Sequence, residues 1–200
     1  MLQGIPAIMT SRLSTGCTDT DVLSFLSSTG ISDTTISNAL CTLVASAKSN
    51  GWWSKCDFIY PYVGSSSSAF SYNLKNTATF QITWGGSVTF NSSGIIGDGS
   101  SGYGDTGYNP STDATIDDSH LSVYISTTEN GNYTDLGAFD SSNSFLIRPY
   151  YSDKGGENVE MYSGTESVTV LSSSSTMAGY AMGSRVSNTD LQLYKNGSSI

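Results

Sequence analysis

From residue 20 to residue 50 the apolar positions recur at helical spacing. Val22, Phe25 and Leu26 share one side of a short helix over Asp21–Leu26, which Thr29-Gly30 ends. Ser32 or Asp33 can cap a second helix, with Ile36, Leu40, Leu43, Val44 and Ala47 at i, i+4, i+7, i+8 and i+11. Asn50-Gly51 supplies its left-handed stop. A single apolar stripe must be covered, most simply by a sheet formed from the rest of the chain.

After Gly64 the pattern changes to short strands between polar, turn-rich stretches. Thr79–Trp84 and Val88–Phe90 flank Gly85-Gly86, a hairpin signal. His120–Ile125 alternates: Leu121, Val123 and Ile125 face one way, His120, Ser122 and Tyr124 the other. Asn130-Gly131 turns the chain toward a strand over Tyr133–Phe139. Further strands are predicted at Phe145–Arg148, Val159–Tyr162, Val168–Leu171, Tyr180–Gly183 and Leu191–Lys195, with a hairpin turn at Asn196-Gly197. The reading is a mainly β protein. Residues 1–63 form an N-terminal extension with two short helices, and 64–200 form a two-sheet antiparallel jelly-roll sandwich.

Composition supports order rather than disorder. Ser and Thr fill 60 of 200 positions and charged residues only 12 %, yet 12 Tyr, 7 Phe and 3 Trp give the chain material for a core. A net charge of −9 with eight scattered Lys and Arg excludes nucleic-acid binding and a polybasic membrane patch. The apolar runs are too short for a transmembrane helix, and Met1–Ser14 lacks the layout of a signal peptide. Cys17, Cys41 and Cys56 are odd in number and form no C-x-x-C pair. They read as free thiols made in a reducing compartment, with a Cys17–Cys41 or Cys41–Cys56 disulfide as the alternative.

Catalytic material is sparse. His120 is the single histidine, on the polar side of a strand and without a nucleophile elbow, so a serine triad has no base. Glu157 and Glu160 stand three apart, which sets them on opposite faces of a strand rather than across a sugar-sized gap. No residue is assigned a catalytic role, and no zinc site is spaced for. Calcium is the one cofactor with candidate ligands, at Asp98–Asp105 and at Asp117-Asp118. The alternative for the first loop is Asp-to-backbone hydrogen bonding. Tyrosines are the recognition material, because a ring face packs on a sugar while its hydroxyl hydrogen-bonds. Tyr150 and Tyr151, with Arg148 and Asp153 beside them, are one candidate glycan contact; Tyr103 and Tyr108, bracketing a glycine-rich loop, are the other. Core or edge packing is the alternative for each.

The segment Gly51-Trp52-Trp53 followed by Ile59-Tyr60-Pro61-Tyr62-Val63-Gly64 resembles tailed-phage and prophage structural proteins with a concanavalin A-like (laminin-G-type) jelly roll. Phe70–Lys75, Phe90–Gly94, Gly102–Ser111, His120–Tyr124 and Tyr194–Gly197 continue the likeness in order, over about residues 20–200. It implies a virion surface protein, made in the host cytoplasm and carried in a tail fibre or other appendage, that binds host glycans or serves as a structural module. It brings no shared catalytic set. Proteins of this type continue with further strands after the Lys-Asn-Gly turn. The strand Leu191–Lys195 is therefore expected to have an open edge or a partner from another subunit, making a homo-oligomer. Other virion proteins and a host saccharide are the implied partners, and similar sandwiches also occur in bacterial surface proteins. A structural decoration protein and a polysaccharide-cleaving enzyme are the rival readings.

Overall fold

In the computed structural model of the chain the described residues are 16–115, 117–127, 134–139, 144–151, 156–160, 168–171, 178–187 and 189–199. They fall into two compact units, Met1–Gly107 and Tyr108–Ile200. Strands arranged in antiparallel sheets dominate, with a few helices. No helix among the described residues is long and apolar enough to cross a membrane.

The first unit begins with the two predicted helices, α1 (Thr20–Thr29) and α2 (Thr34–Ser49). Asp19 caps α1 by accepting from the N–H groups of Asp21 and Val22, and Asp33 caps α2 through Thr35 and Ile36. Gly30, at φ 70°, ends α1 as expected. The α2 stripe is not covered by a sheet. Leu40, Val44 and Ala47 instead pack with Val22 and Phe25 of α1, with Trp53, and with Leu74, while Ile59, Val63 and Tyr72 close the margin. Residues past the compositional change at Gly64 thus belong to the helical core. The change in composition near Gly64 and the division into units are different boundaries.

Cys17 and Cys41 form a disulfide with Cα atoms 5.9 Å apart, tying the start of α1 to the middle of α2. The expectation of free thiols therefore holds only for Cys56, which is half-buried and pushed up in pKa chiefly by that burial. Lys48, near the end of α2, bridges Asp19 and Asp21 at 2.7 Å each. Burial alone would raise the Asp19 carboxyl. The hydrogen bonds from Lys48, Asp21 and Val22 outweigh it and hold the group below its ordinary value. The ammonium groups of Lys48 and Lys75 lie over the Trp53 ring, 5.5 and 4.7 Å from its centroid.

One buried polar side chain organises the coil that follows. Asn73 is fully buried; its Oδ1 accepts from the amides of Ile59 (2.9 Å) and Lys75 (3.0 Å), and its Nδ2 donates to the carbonyls of Asp57 and Thr79. A chain of rings runs through the same unit: Phe80, Phe58, Tyr60, Tyr62, Phe70, Phe90 and Trp84 touch in that order, with centroids 4.9–6.4 Å apart. Trp84 donates its indole N–H to Ser71 Oγ at 2.9 Å, and Tyr60 donates its hydroxyl to the Phe80 carbonyl. Burial pushes the Tyr62 phenol up to about 12.

The Gly85-Gly86 hairpin does not form. β1 (Thr83–Gly85) pairs with β4 (Tyr103–Asp105), while β2 (Val88–Asn91) and β3 (Gly94–Gly97) make the hairpin around Ser92-Ser93. The reason is a fit across β1 and β4. Trp84 stands opposite Gly104 and Tyr103 opposite Gly85, each ring filling the space a side chain on the glycine would take.

The second unit holds a short helical turn, α3 (Pro110–Asp113), and two four-stranded antiparallel sheets. One sheet runs β12-β11-β10-β5, from β5 (Ser119–Ile125), β10 (Gly179–Ser187), β11 (Asp190–Lys195) and β12 (Ser198–Ser199). The other runs β6-β7-β8-β9, from β6 (Leu136–Phe139), β7 (Ser144–Tyr151), β8 (Gly156–Glu160) and β9 (Val168–Leu171). Leu121, Ile125, Ala181 and Leu193 of the first sheet and Phe145, Leu146 and Ile147 of β7 are buried. β11 does have a partner within the chain, β12, which covers Tyr194 and Lys195. Buried Arg185 pairs with the half-exposed Asp117 at 2.8 Å.

Candidate functional site

The sheet β12-β11-β10-β5 presents a second face, opposite its buried one. Alternation along β5 places His120, Ser122 and Tyr124 there, as predicted, while Leu121 and Ile125 turn inward. Along β10 the same face takes Tyr180, Met182 and Ser184, and Ala181, Gly183 and Arg185 are the buried set. Register joins the two rows: Tyr180 stands opposite Tyr124, Met182 opposite Ser122, and Ser184 opposite His120. On the other side of β10, Tyr194 is opposite Met182 and Gln192 opposite Ser184.

The result is a face with three tyrosines on three neighbouring strands, Tyr194 half-buried among them, with Ser122, Met182, Ser184 and Gln192 alongside. Tyr124 is 73 % exposed and Tyr180 40 %, unusual for rings this size on a regular sheet. Tyr180 donates to Met182 Sδ at 4.0 Å, and Tyr194 donates its hydroxyl to Gln192 Oε1. Tyr180 is held from behind. Asn196, at φ 49° in the Asn-Gly turn, accepts from the Tyr180 amide through Oδ1 (2.9 Å) and donates its own N–H to the Tyr180 carbonyl (2.8 Å). Gly179 lets this happen, because a Cβ there would overlap the Asn196 side chain.

The candidates from sequence fare unequally. Tyr103, 61 % exposed, lies over Gly85 in the first unit, and half-buried Tyr108 opens the second; the structure does not unite them in one site. Arg148, Tyr150 and Tyr151 fall on β7, but their side chains lie outside the described ones, and Asp153 lies outside the described residues.

The glycine-rich loop resolves toward Asp-to-backbone bonding. Asp98 accepts from the amides of Ser100, Ser101 and Gly102 at 2.7–3.0 Å and from the Ser101 hydroxyl. Asp105 accepts from Gly107, and Asp117 is engaged by Arg185. Among the described residues no group of three or more His, Cys, Asp or Glu side chains converges on a metal-sized position. The donor set of the loop serves its own backbone.

The hydrogen bonds from Ser101 and Gly102 hold the Asp98 carboxyl well below the ordinary 3.8. A depressed folded-state value means that the loop's stabilisation is complete above the unfolded value and fades as pH falls through the folded one. In a carbon-detected titration Asp98 should still be ionised at pH 3, while the exposed Ser101 and Gly102 amide shifts stay unchanged. A midpoint near 3.8 would show that the loop is not closed by these bonds.

Tyr180 and Tyr194 were not singled out by sequence. The only available signal was their place in predicted strands, beside Met182 and the Asn196-Gly197 turn. Comparison with known proteins brings no match: no family model, no curated protein and no solved structure aligns with the chain. The site therefore rests on its own geometry.

Proposed function

We propose that the chain is a non-enzymatic surface module of a tailed-phage or prophage particle, in a tail fibre or other appendage, that binds host glycans through the tyrosine face of its second unit. In this reading the two four-stranded sheets of that unit are the layers of a jelly-roll sandwich. Other virion proteins and further copies of the chain are its partners, and nucleic acid and membrane insertion have no part.

The observation that carries the proposal is the Tyr124–Tyr180 pair, directly opposed on adjacent strands and open to solvent. Aromatic rings on a rigid sheet offer contact area at small entropic cost, and saccharides supply apolar ring faces that such surfaces accept. The Cys17–Cys41 bond supports an exterior location, since disulfides persist in oxidising surroundings.

The test is binding of the purified chain to a glycan array and to host-envelope polysaccharide. Saturable binding that Tyr124→Ala or Tyr180→Ala weakens about tenfold or more is the expected result. Tyr124 is exposed, so its replacement leaves the core intact. A folded chain that binds no glycan would favour the second reading, a purely structural decoration or assembly protein. Exposed Leu23, Leu43 and Trp52 in the helical unit favour that reading as attachment points.

A further inference from the structure

Resting on the glycan-binding reading, we infer that the ligand of the tyrosine face is an uncharged, linear saccharide of about three pyranose units that lies across the strands. The first support is placement. Tyr124 and Tyr180 are opposite neighbours, and Tyr194, opposite Met182, is the diagonal neighbour of Tyr180 on the next strand. Opposite positions lie about 5 Å apart and diagonal ones about 7–8 Å, so the three rings mark a track of roughly 12–13 Å over β5, β10 and β11. A monosaccharide would cover one ring and forfeit the others.

The second support is charge. The described cations of this sheet, Arg185 and Lys195, alternate to the side of Ala181, and Arg185 is buried against Asp117. The tyrosine face itself carries Ser122, Ser184, Gln192, Met182 and His120, with Asp190 at its far end accepting from Gln192. On a chain of net charge −9, a face whose described residues include no Lys or Arg disfavours sulfated, phosphorylated or uronic-acid polymers and leaves neutral ones unopposed. The third support is rigidity. The Tyr180 amide donates to Asn196 Oδ1 and the Tyr180 carbonyl accepts from the Asn196 N–H, so the main chain that carries the middle ring of the track is set before any ligand arrives.

The experiment is calorimetric titration of the full chain with neutral gluco-, galacto- and manno-oligosaccharides of one, three and six units, and with hyaluronan and polygalacturonate. Each titration is run at low and high salt. A neutral trisaccharide should bind at least about tenfold tighter than its monosaccharide, with a salt effect below about twofold. Tyr194→Ala should weaken the trisaccharide and leave the monosaccharide unchanged, and Asn196→Ala should weaken both while the Tyr124→Phe chain keeps its affinity. Salt-sensitive binding of the anionic polymers that Tyr124→Ala abolishes, or equal affinity for one and three units, would overturn the inference and leave the glycan reading standing. Binding of no saccharide, or binding indifferent to both Tyr124→Ala and Tyr180→Ala, would remove the reading and the inference with it.

Discussion

Replacing Asn73 by Ala should lower the stability of the first unit by about 3–5 kcal/mol. The side chain is fully buried and spends both ends on backbone: two amides enter Oδ1 and two carbonyls receive Nδ2. Its removal takes the acceptor from the Ile59 and Lys75 amides, which point at a fully buried side chain, each at a cost of about 1–3 kcal/mol. It also releases three separate stretches of coil, around residues 57–59, 75 and 79, that no sheet holds together. Asn76→Ala is the control. That side chain caps Ala78 in the open and should cost less than about 1 kcal/mol. All three tryptophans lie in this unit, at 52, 53 and 84, so denaturant unfolding followed by tryptophan emission reads it directly. A loss for Asn73→Ala no greater than that of the control would refute the role given to the hub.

Opening the Cys17–Cys41 bond is the second large effect, about 3 kcal/mol. The bond closes a segment whose ends are 24 residues apart, and cross-linking a loop of that size removes about this much entropy from the unfolded chain. Reductant should therefore shift the same emission transition to lower denaturant, and Cys17→Ser should remove any further response to reductant. Alkylation without reductant should label Cys56 alone, slowly, because the thiol is half-buried and its pKa is raised. Labelling of all three cysteines in the native protein would contradict the bond.

Much of the local structure was legible because single residues decide it. Asp33 and the Asn50-Gly51 pair bound α2, and the alternation of His120–Ile125 already set Tyr124 apart from Leu121. Pairing was not legible. Gly85-Gly86 carries every local mark of a hairpin turn, but β1 finds β4 because Trp84 and Tyr103 each need a glycine across from them, a match between positions about twenty residues apart. The cover of α2 was misjudged for a related reason: Trp53, Ile59 and Leu74 are scattered through coil, where no periodicity marks them as core. The tyrosine face was half legible. In Tyr180-Ala181-Met182-Gly183 both sides of the strand are apolar or small, so only register with β5 and β11 shows which side stays open.

The disulfide also sets a time order. In the proposed setting the chain is synthesised and assembled in a reducing cytoplasm, where Cys17 and Cys41 remain thiols, and it meets oxidant only when the particle is released. During assembly α1 would then rest on α2 through side-chain packing and the Lys48 ion pairs to Asp19 and Asp21, without the covalent tie, and would stay more pliable while neighbours dock. Release closes the bond and hardens the joint afterwards. A particle built this way would be weakest while the cell still encloses it and would toughen once it is outside.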